Sequence, residues 1–247
     1  MVNVYYDLHI HSALSPCADN DMTPNDIVGM ALLNGLDIIA VTDHNSIENA
    51  ISAVNIANRS HLTTSSPSDR DLVVLPGIEV STEEEVHVIC LFSDIESALS
   101  FESKLNPYFS TIPNRIDIFG NQTLYDENDC ITGEVERMLI APTSISFDDL
   151  YHLTHNHNGA FIPAHIDRDS FSVISNLGFL PPHLDISTVE VSSRAFEGGF
   201  NTQSANIPPS TNVIFSSDAH QLWSISERKH SITLPELSAK AAIDFLC

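Results

Sequence analysis

The feature of this sequence that most restricts its fold is a series of seven short apolar runs that end in, or contain, a residue able to bind metal or phosphate. The first run leads into Asp7-Leu8-His9-Ile10-His11. Residues i and i+2 of an extended strand point to the same side, so His9 and His11 present two imidazoles next to each other. The comparable residues in the later runs are His44, Glu79, His87, His165, Asp218 and His220. Core packing gives no reason to place such residues at strand ends, so the sequence predicts a metal site assembled from several strands.

The order of the elements predicts a sheet of parallel strands covered by helices. A strand over 4–8 is followed by the helix start Thr23-Pro24 and by helical spacing that ends at Asn34-Gly35. The same unit recurs at once, with a buried strand over 37–41 and a helix over 46–58. Further strands are expected at 72–75, 86–92, 160–164, 188–191 and 213–215, with helices at 94–105 and 147–155. Such repeated units with continuously apolar strands favour a parallel sheet.

The length of 247 residues fits one α/β barrel domain, interrupted by an irregular insertion at about 106–145. In a barrel of this kind the active site lies at the carboxyl ends of the strands. All the candidate ligands except His87, which lies within its strand, fall at or just after such an end. The candidates are therefore expected to meet at one rim.

The formal net charge of −23, from 33 acidic and 10 basic residues, opposes binding to long nucleic acid and to anionic membranes. The amino-terminal residues lack the features of a signal peptide, and no run approaches the length of a membrane span, so we expect a soluble, cytoplasmic protein. The cysteines form no CxxC pair, which favours reduced thiols. Cys17 is the one that lies among candidate ligands.

The motifs resemble those of the polymerase and histidinol phosphatase (PHP) superfamily of metal-dependent phosphoesterases. The resemblance lies, in family order, in Asp7-Leu8-His9-Ile10-His11-Ser12, Thr42-Asp43-His44-Asn45, Pro76-Gly77-Ile78-Glu79-Val80-Ser81, the strand of His87, Pro163-Ala164-His165 and Ser217-Asp218-Ala219-His220. It covers nearly the whole chain apart from 106–145. It implies a single-domain, distorted TIM-like (β/α)7 barrel with two or three divalent metals, commonly zinc, manganese or iron.

The resemblance also implies which residues hold each metal. A first ion would be held by His9, His11, Glu79 and Asp218. Glu79 would bridge to a second ion, which His87 and His165 also bind. A third would be held by His44, His220 and a residue of loop 15–21, where this sequence departs from the His or Asp of the family. We favour Asp19 for that place, with Asp21 and Cys17 as alternatives.

The chemistry of these side chains agrees with that implication. Imidazoles and carboxylates together suit zinc, manganese or iron(II), whereas magnesium and calcium prefer oxygen alone. A Glu that bridges two cations allows a shared water to become hydroxide near neutral pH, and this hydroxide is the expected nucleophile on a small phosphomonoester. We expect catalytic roles for Glu79, Asp218, His220 and Arg168. Asp7 and Asp43 are expected to support the ligands by fixing imidazole tautomers or by forming turns.

Arg168 follows the fifth strand and is the first candidate to hold the phosphate, because a guanidinium can bind two of its oxygens. Arg194, after the sixth strand, is the second candidate. A salt bridge of Arg168 to Asp167, Asp169 or another acid of this acidic protein is the alternative. His152, His155 and His157 lie on an expected helix and its polar end, and we expect them to be surface residues.

Two other functional classes remain open. An amidohydrolase-type metal-dependent hydrolase also begins with a His-x-His strand, but it leaves Glu79 and the Asp218-x-His220 pair without their usual roles. A non-catalytic, metal-binding regulatory protein would keep the same ligands. The intact ligand set favours an enzyme.

Overall fold

Strands form at each of the seven apolar runs and, together with one unexpected strand, make the wall of the fold. The computed structural model describes residues 1–63, 71–192, 195 and 206–247. The strands in these ranges are β1 (Val2–Ile10), β2 (Ile38–Val41), β3 (Val73–Ser81), β4 (His87–Leu91), β5 (Thr123–Tyr125), β6 (Ile131–Glu134), β7 (Ala160–Pro163), β8 (Thr188–Ser192), β9 (Asn212–Ser216) and β10 (Ser231–Leu234). All of them except β5, β6 and β10 correspond to the expected strands.

Four helices, the first, second, third and fifth along the described chain, form where the sequence predicts them, and three further helices were not predicted. They are α1 (Pro24–Leu33), α2 (Glu48–Thr63), α3 (Ile95–Leu105), α4 (Ile116–Phe119), α5 (Phe147–Asn156), α6 (Val173–Leu177) and α7 (Ala239–Leu246), with 3-10 turns at Asn106–Tyr108 and Leu222–Ser224. The Thr23 side chain caps α1 by accepting the Asp26 N–H, and Pro24 occupies the first position, where a missing N–H costs no hydrogen bond. Asp94 caps α3 by accepting the Ser97 N–H. No helix of the described residues is both long enough and apolar enough to cross a membrane.

A curled six-stranded sheet, in the order β10-β1-β2-β3-β4-β7, forms half of a barrel. The parallel pair β8-β9 covers its open side. On one flank the Ile166 N–H donates to the Glu190 carbonyl at 2.9 Å, and on the other the His11 N–H donates to the Ala219 carbonyl at 2.9 Å. The result is a single mixed α/β domain whose strands surround a shared interior.

The sheet differs from the expected parallel arrangement at its edge strand β10, which runs antiparallel to β1, and at β4, which runs antiparallel to both β3 and β7. Residues 82–86 connect β3 to β4, and this link is too short for the helical crossover that parallel neighbours need. Because the strand is reversed, its first residue, His87, pairs with Ser81 at the carboxyl end of β3. His87 therefore lies at the same rim as the other candidate ligands, even though it belongs to a strand and not to the loop after one.

The barrel interior is apolar below that rim. Leu8, Ile38, Leu75 and Ile89 belong to one buried cluster that also contains Leu246 of α7. The α7 helix sits at the amino ends of the strands, where its Leu246 carbonyl accepts the Thr188 hydroxyl at 2.7 Å. Apolar side chains thus close the amino end of the barrel, and its polar side chains gather at the carboxyl ends of the strands.

Gly77 allows β3 to lie close to its neighbours two residues before Glu79. A Cβ at this position would approach the Leu91 and Thr42 side chains to 2.7 and 2.8 Å, which real Cβ atoms do not do. A residue without a side chain is therefore required here, and β3 delivers Glu79 to the rim in a closely packed strand.

Residues 106–145 contain α4 and the antiparallel hairpin β5-β6, which lie outside the barrel wall. The Asn49 side chain of α2 donates to the Thr123 carbonyl and accepts the Tyr125 N–H, both at 3.0 Å. The Thr123 N–H in turn donates to the Ala13 carbonyl at 3.0 Å. This segment therefore holds the loop that follows β1.

Candidate metal centre

Eight side chains from six strands and the loops after them meet at the carboxyl-end rim. They are His9, His11, His44, Glu79, His87, His165, Asp218 and His220. All are buried or nearly so except His87 and His220, which are partly exposed. The structure thus brings together every sequence-predicted ligand except Asp19.

Glu79 lies at the middle of this group. Its Oε1 is 2.9 Å from His87 Nδ1 and 3.4 Å from both His9 Nε2 and His165 Nε2. Its Oε2 is 2.9 Å from His44 Nδ1 and 3.4 Å from His11 Nε2. Both oxygens are buried and have no hydrogen-bond partner among the described residues. The carboxylate therefore faces five imidazoles without being satisfied by any of them.

The charge state of Glu79 follows from these neighbours. Burial alone would raise the pKa of its carboxyl group, but the nearby His87, His9 and His44 outweigh burial and hold the pKa well below its ordinary value. Glu79 is therefore an anion at neutral pH. A buried anion that lies between several imidazoles is suited to bridge two cations.

His9, His11 and Asp218 form a second close group. The two Nε2 atoms are 3.1 Å apart, and Asp218 Oδ1 lies 3.3 Å from His9 Nε2 and 3.1 Å from His11 Nε2. Burial lowers the pKa of both imidazoles, but Glu190, Asp218 and Glu79 raise that of His9 well above its usual value. For His11, burial and the neighbouring His220 leave the pKa well below its usual value. The 3.1 Å between the two Nε2 atoms is a hydrogen-bond distance, and a cation bound by both nitrogens would displace a proton held between them.

Hydrogen bonds behind the imidazoles fix which nitrogen faces the centre. His9 Nδ1 lies 2.9 Å from Glu190 Oε2, so the carboxylate accepts the Nδ1 proton and Nε2 is directed to the rim. His11 Nδ1 lies 3.0 Å from Ser15 Oγ, which itself donates to Asp43 Oδ1 at 2.7 Å. Because the Ser15 proton is used on Asp43, its oxygen accepts from His11 Nδ1. Both imidazoles are thereby held with Nε2 directed to the centre, where it could bind a metal ion.

Sequence reasoning missed Glu190 and Ser15. Glu190 is fully buried and also accepts the His165 N–H at 3.0 Å, so one carboxylate holds β1 and β7 together at the rim. The available signal was its position as the single acid within the apolar run 188–191. A buried acid in a strand needs a partner, and that requirement points to a histidine.

Asp7 and Asp43 support the loops rather than contacting an imidazole directly. Asp7 accepts the N–H groups of Ser217 and Ser226, each at 2.9 Å, and so holds the loop that carries Asp218. Asp43 accepts the Ser12 N–H at 2.8 Å and reaches His11 through Ser15. The sequence predicted that these acids fix imidazole tautomers or form turns. Asp7 has the second of these roles.

A third group consists of His11, His44 and His220, whose nitrogens all lie within 4.8 Å of one another. His220 Nδ1 donates to the Asp218 carbonyl at 2.8 Å, so its Nε2 carries the free lone pair. Cys17, in the loop after β1, is exposed and lies outside this group. Partial burial would raise the pKa of its thiol, but the neighbouring imidazoles of His220 and His44 outweigh that effect and lower the pKa to about 7. Asp19 and Asp21 are exposed in the same loop.

Arg168 lies at the edge of the centre. Its Nη2 is 2.7 Å from Asp218 Oδ2, and its side chain is 44% exposed. Asp167, one alternative partner, instead accepts the N–H and hydroxyl of Ser192 at 2.7 and 2.6 Å. Arg194 lies outside the described residues. Arg168 is therefore a cation beside a candidate ligand, with part of its guanidinium open to solvent.

Local backbone geometry is unusual at three residues of the rim. The φ angles of His165 and Asp218 are +31° and +52°, and that of Phe171 is +56°. A positive φ in a residue other than glycine costs about 1–3 kcal/mol and persists where the surroundings enforce it. The Phe171 ring stacks on His87 at 4.8 Å between centroids, and its carbonyl accepts the His87 N–H at 2.9 Å. Phe171 therefore holds His87 from the open side of the rim.

The histidines of α5 lie apart from this centre. His155 Nδ1 and His157 Nδ1 bond to the carbonyls of Tyr151 and Leu153 at 2.9 and 2.8 Å, in the i to i−4 pattern of a helix surface. His152 is exposed. None of the three belongs to the clusters of possible ligands among the described residues.

Comparison with known proteins gives one family match and several structural matches. The family model described as PHP domain matches residues 7–184. The lesion-specific endonuclease Q of Pyrococcus furiosus has a TM-score of 0.65 and 16% identity, over 99% of this chain and 56% of its own. Endonuclease Q in complex with a 27-mer duplex substrate with an abasic lesion has a TM-score of 0.62 and 16% identity, over 98% and 56% of the two chains. This chain thus spans little more than half of endonuclease Q.

A structure of similar length is also found. A protein of Bifidobacterium adolescentis assigned as a metal-dependent phosphoesterase has a TM-score of 0.54 and 16% identity, over 98% of this chain and 95% of its own. At such identities the structural matches show the fold alone. No curated protein sequence matches this chain.

Replacing Glu190 with Gln should weaken metal binding about 10- to 100-fold, because an amide no longer enforces the His9 tautomer that directs Nε2 to the centre. Glu134→Gln, an exposed change in β6, is the matched control and should leave affinity unchanged. Competition with a chromogenic chelator measures both dissociation constants. Equal affinities of the two variants would show that Glu190 does not orient the ligand.

Proposed function

Because this chain belongs to the PHP domain family, whose model matches residues 7–184, we propose that it is a metal-dependent phosphoesterase that hydrolyses small phosphate esters, phosphomonoesters above all. The observation that carries the proposal is the unsatisfied Glu79 carboxylate, with oxygens 2.9 Å from both His44 and His87. A buried acid in this position has a clear purpose only if cations bind beside it.

The donor set fits divalent transition metals. Imidazole nitrogens with carboxylate oxygens suit zinc, manganese or iron(II). The clusters of possible ligands are His9 with His11 and Asp218, His44 with Glu79 and His87, and His11 with His44 and His220. Since eight side chains exceed the needs of one ion, we propose two or three ions, with His165 joining the group around Glu79 Oε1.

The chain's own residues would divide the work as follows. Bound cations supply Lewis acidity, which offsets phosphate charge and lowers the pKa of a coordinated water. Glu79 fixes the spacing of two binding positions, and Asp218 joins the His9–His11 group to the Arg168 guanidinium. His220 donates its Nδ1 proton to the Asp218 carbonyl, which leaves its Nε2 available to bind a cation. Arg168 is placed to bind phosphate oxygens that approach the rim.

Nucleic acid is the second candidate substrate, since endonuclease Q shares this fold and its complex contains a duplex. At 16% identity, the match to endonuclease Q shows a shared fold but not a shared substrate. The net charge of −23 opposes a long polyanion away from the metal centre. Charge therefore favours a small ester.

The enzymatic class can be tested directly against its two rivals. A chromogenic phosphomonoester should be hydrolysed, and amide and lactone substrates should not. Activity should vanish on chelation and return with zinc, manganese or iron(II). Preferential amide or lactone hydrolysis would support an amidohydrolase, and a metal-loaded protein inactive on all of these, nucleic acid included, would support a regulatory role.

Substrate length should have little effect on catalysis. We expect kcat/KM for a mononucleotide to equal or exceed that for a long single strand or an abasic duplex, because the acidic surface repels phosphates beyond the first. The measurement compares these substrates at two salt concentrations. A strong preference for the longer substrate that falls steeply with salt would establish the chain as a nuclease.

Glu79→Gln should lower kcat about 100-fold or more while leaving the free energy of unfolding little changed, because the amide keeps the shape but not the bridging charge. His152→Ala on the exposed face of α5 should leave both quantities unchanged. Steady-state kinetics and urea denaturation of both variants provide the check. Loss of turnover in His152→Ala with retention in Glu79→Gln would place the site elsewhere.

Arg168→Lys should lower kcat/KM about 10- to 100-fold at unchanged metal content, because an ammonium cannot reproduce the planar fork of the guanidinium. Arg115→Lys is a matched control, since Arg115 also forms a 2.7 Å pair with an aspartate but in an exposed position. The comparison uses kinetics on protein of measured metal content. Wild-type kinetics in Arg168→Lys would leave phosphate binding to the metals alone.

A further inference from the structure

The loop after β7 carries a cation and an aromatic ring that contact two different parts of the rim. Arg168 pairs with Asp218 through a 2.7 Å contact between Nη2 and Oδ2. Phe171 stacks on His87, with ring centroids 4.8 Å apart and an angle of 22° between the ring planes. Since Asp218 and His87 belong to different clusters of possible ligands, one loop contacts two clusters of the centre.

Hydrogen bonds of the backbone fix the shape of this loop. The Arg168 N–H donates to the His165 carbonyl at 2.9 Å, and the Ser172 hydroxyl donates to the Arg168 carbonyl at 2.7 Å. The His87 N–H donates to the Phe171 carbonyl at 2.9 Å. The backbone of Phe171 thus already ties the loop to His87, and this contact would persist without the aromatic ring.

The side chain of Phe171 has two features that packing does not explain. It is 46% exposed, although it is apolar and lies beside the rim. Its φ angle is +56°, a conformation that glycine adopts without strain and that is an outlier for a bulky residue. A strained backbone position that carries an exposed apolar ring points to a function for that ring.

We propose that Phe171 is a specificity-determining residue, whose exposed ring stacks on an aromatic ring in the organic part of the phosphate ester. The proposal rests on the proposed function, because it requires a phosphate bound at the rim. With the phosphate at Arg168, the organic group extends along the same loop to Phe171. A neutral ring gains from stacking and does not meet the repulsion that the net charge of −23 imposes on additional phosphates. The substrates favoured are phosphomonoesters whose alcohol carries an aromatic ring.

Two pairs of esters measure what the aromatic ring contributes. Adenosine 5′-monophosphate and ribose 5-phosphate differ in the base, and benzyl phosphate and ethyl phosphate differ in the phenyl ring. In the wild-type protein, kcat/KM should be about 5- to 150-fold higher for the aromatic member of at least one pair, the scale on which base stacking on an aromatic side chain contributes. Preference in the first pair alone identifies a nucleoside as the source of the ring, and preference in both identifies aromatic rings in general.

Variants of Phe171 separate stacking on the substrate from support of His87. Phe171→Leu should bring kcat/KM of the two members of each pair close together, whereas Phe171→Tyr should keep the preference. Phe179→Leu, which changes an exposed phenylalanine beyond the other end of α6, is the matched control and should keep it as well. Metal content should be the same in all four proteins, because the backbone contact to His87 is retained.

An equal loss of kcat/KM for both members of a pair in Phe171→Leu would overturn the proposal, since the ring would then only support His87. A wild-type protein that hydrolyses all four esters without preference would also overturn it, yet would leave the proposed function intact.

Calorimetry provides a readout that does not depend on turnover. Phosphonate analogues of the first pair, in which carbon replaces the bridging oxygen, should bind with the same preference for the base, and Phe171→Leu should remove that preference. If no ester is hydrolysed, the proposed function fails and this measurement alone decides the role of Phe171. Equal binding of the two phosphonates to the wild-type protein would then overturn it.

Discussion

The interaction on which the rest of the site depends is that of one buried carboxylate with the histidines around it. Glu79 is 1% exposed and has five imidazole nitrogens within 3.4 Å. An ionised carboxylate that is buried without compensation costs on the order of several kcal/mol. The surrounding imidazoles lower its pKa and thereby keep it charged. A buried carboxylate of this kind would be costly in an ordinary protein core. Because imidazoles surround it, Glu79 is instead suited to bind two cations at once.

The architecture around Glu79 serves to hold those imidazoles in place. Reversal of β4 brings His87 to the rim beside the end of β3. Glu190 fixes His9, and the Ser15–Asp43 pair fixes His11, so that two tautomers are set from behind. Positive φ angles at His165 and Asp218 show that the surrounding contacts enforce the positions of these two side chains. The β5-β6 segment adds support from outside by holding the loop after β1.

Much of the fold was accessible from the sequence because its strands are continuously apolar and its helices have clear caps. Seven of the eight wall strands, all but β10, and the start of α1 at Pro24 follow those rules. The direction of β4 was not accessible, because an apolar strand has the same pattern in both directions and only the short link 82–86 argues for reversal. For the site, His9 and His11 are identifiable from strand spacing alone. Glu190 is not, since its partners His9 and His165 come from other parts of the chain that only tertiary structure brings near.

The central claim is that several cations bind around Glu79, and elemental analysis of protein purified without chelators tests it most directly. The account predicts two or three equivalents of zinc, manganese or iron per chain, because the three ligand clusters cannot be served by one ion. One equivalent or less, in protein whose fold is verified and to which these metals have been offered, would contradict the multinuclear centre.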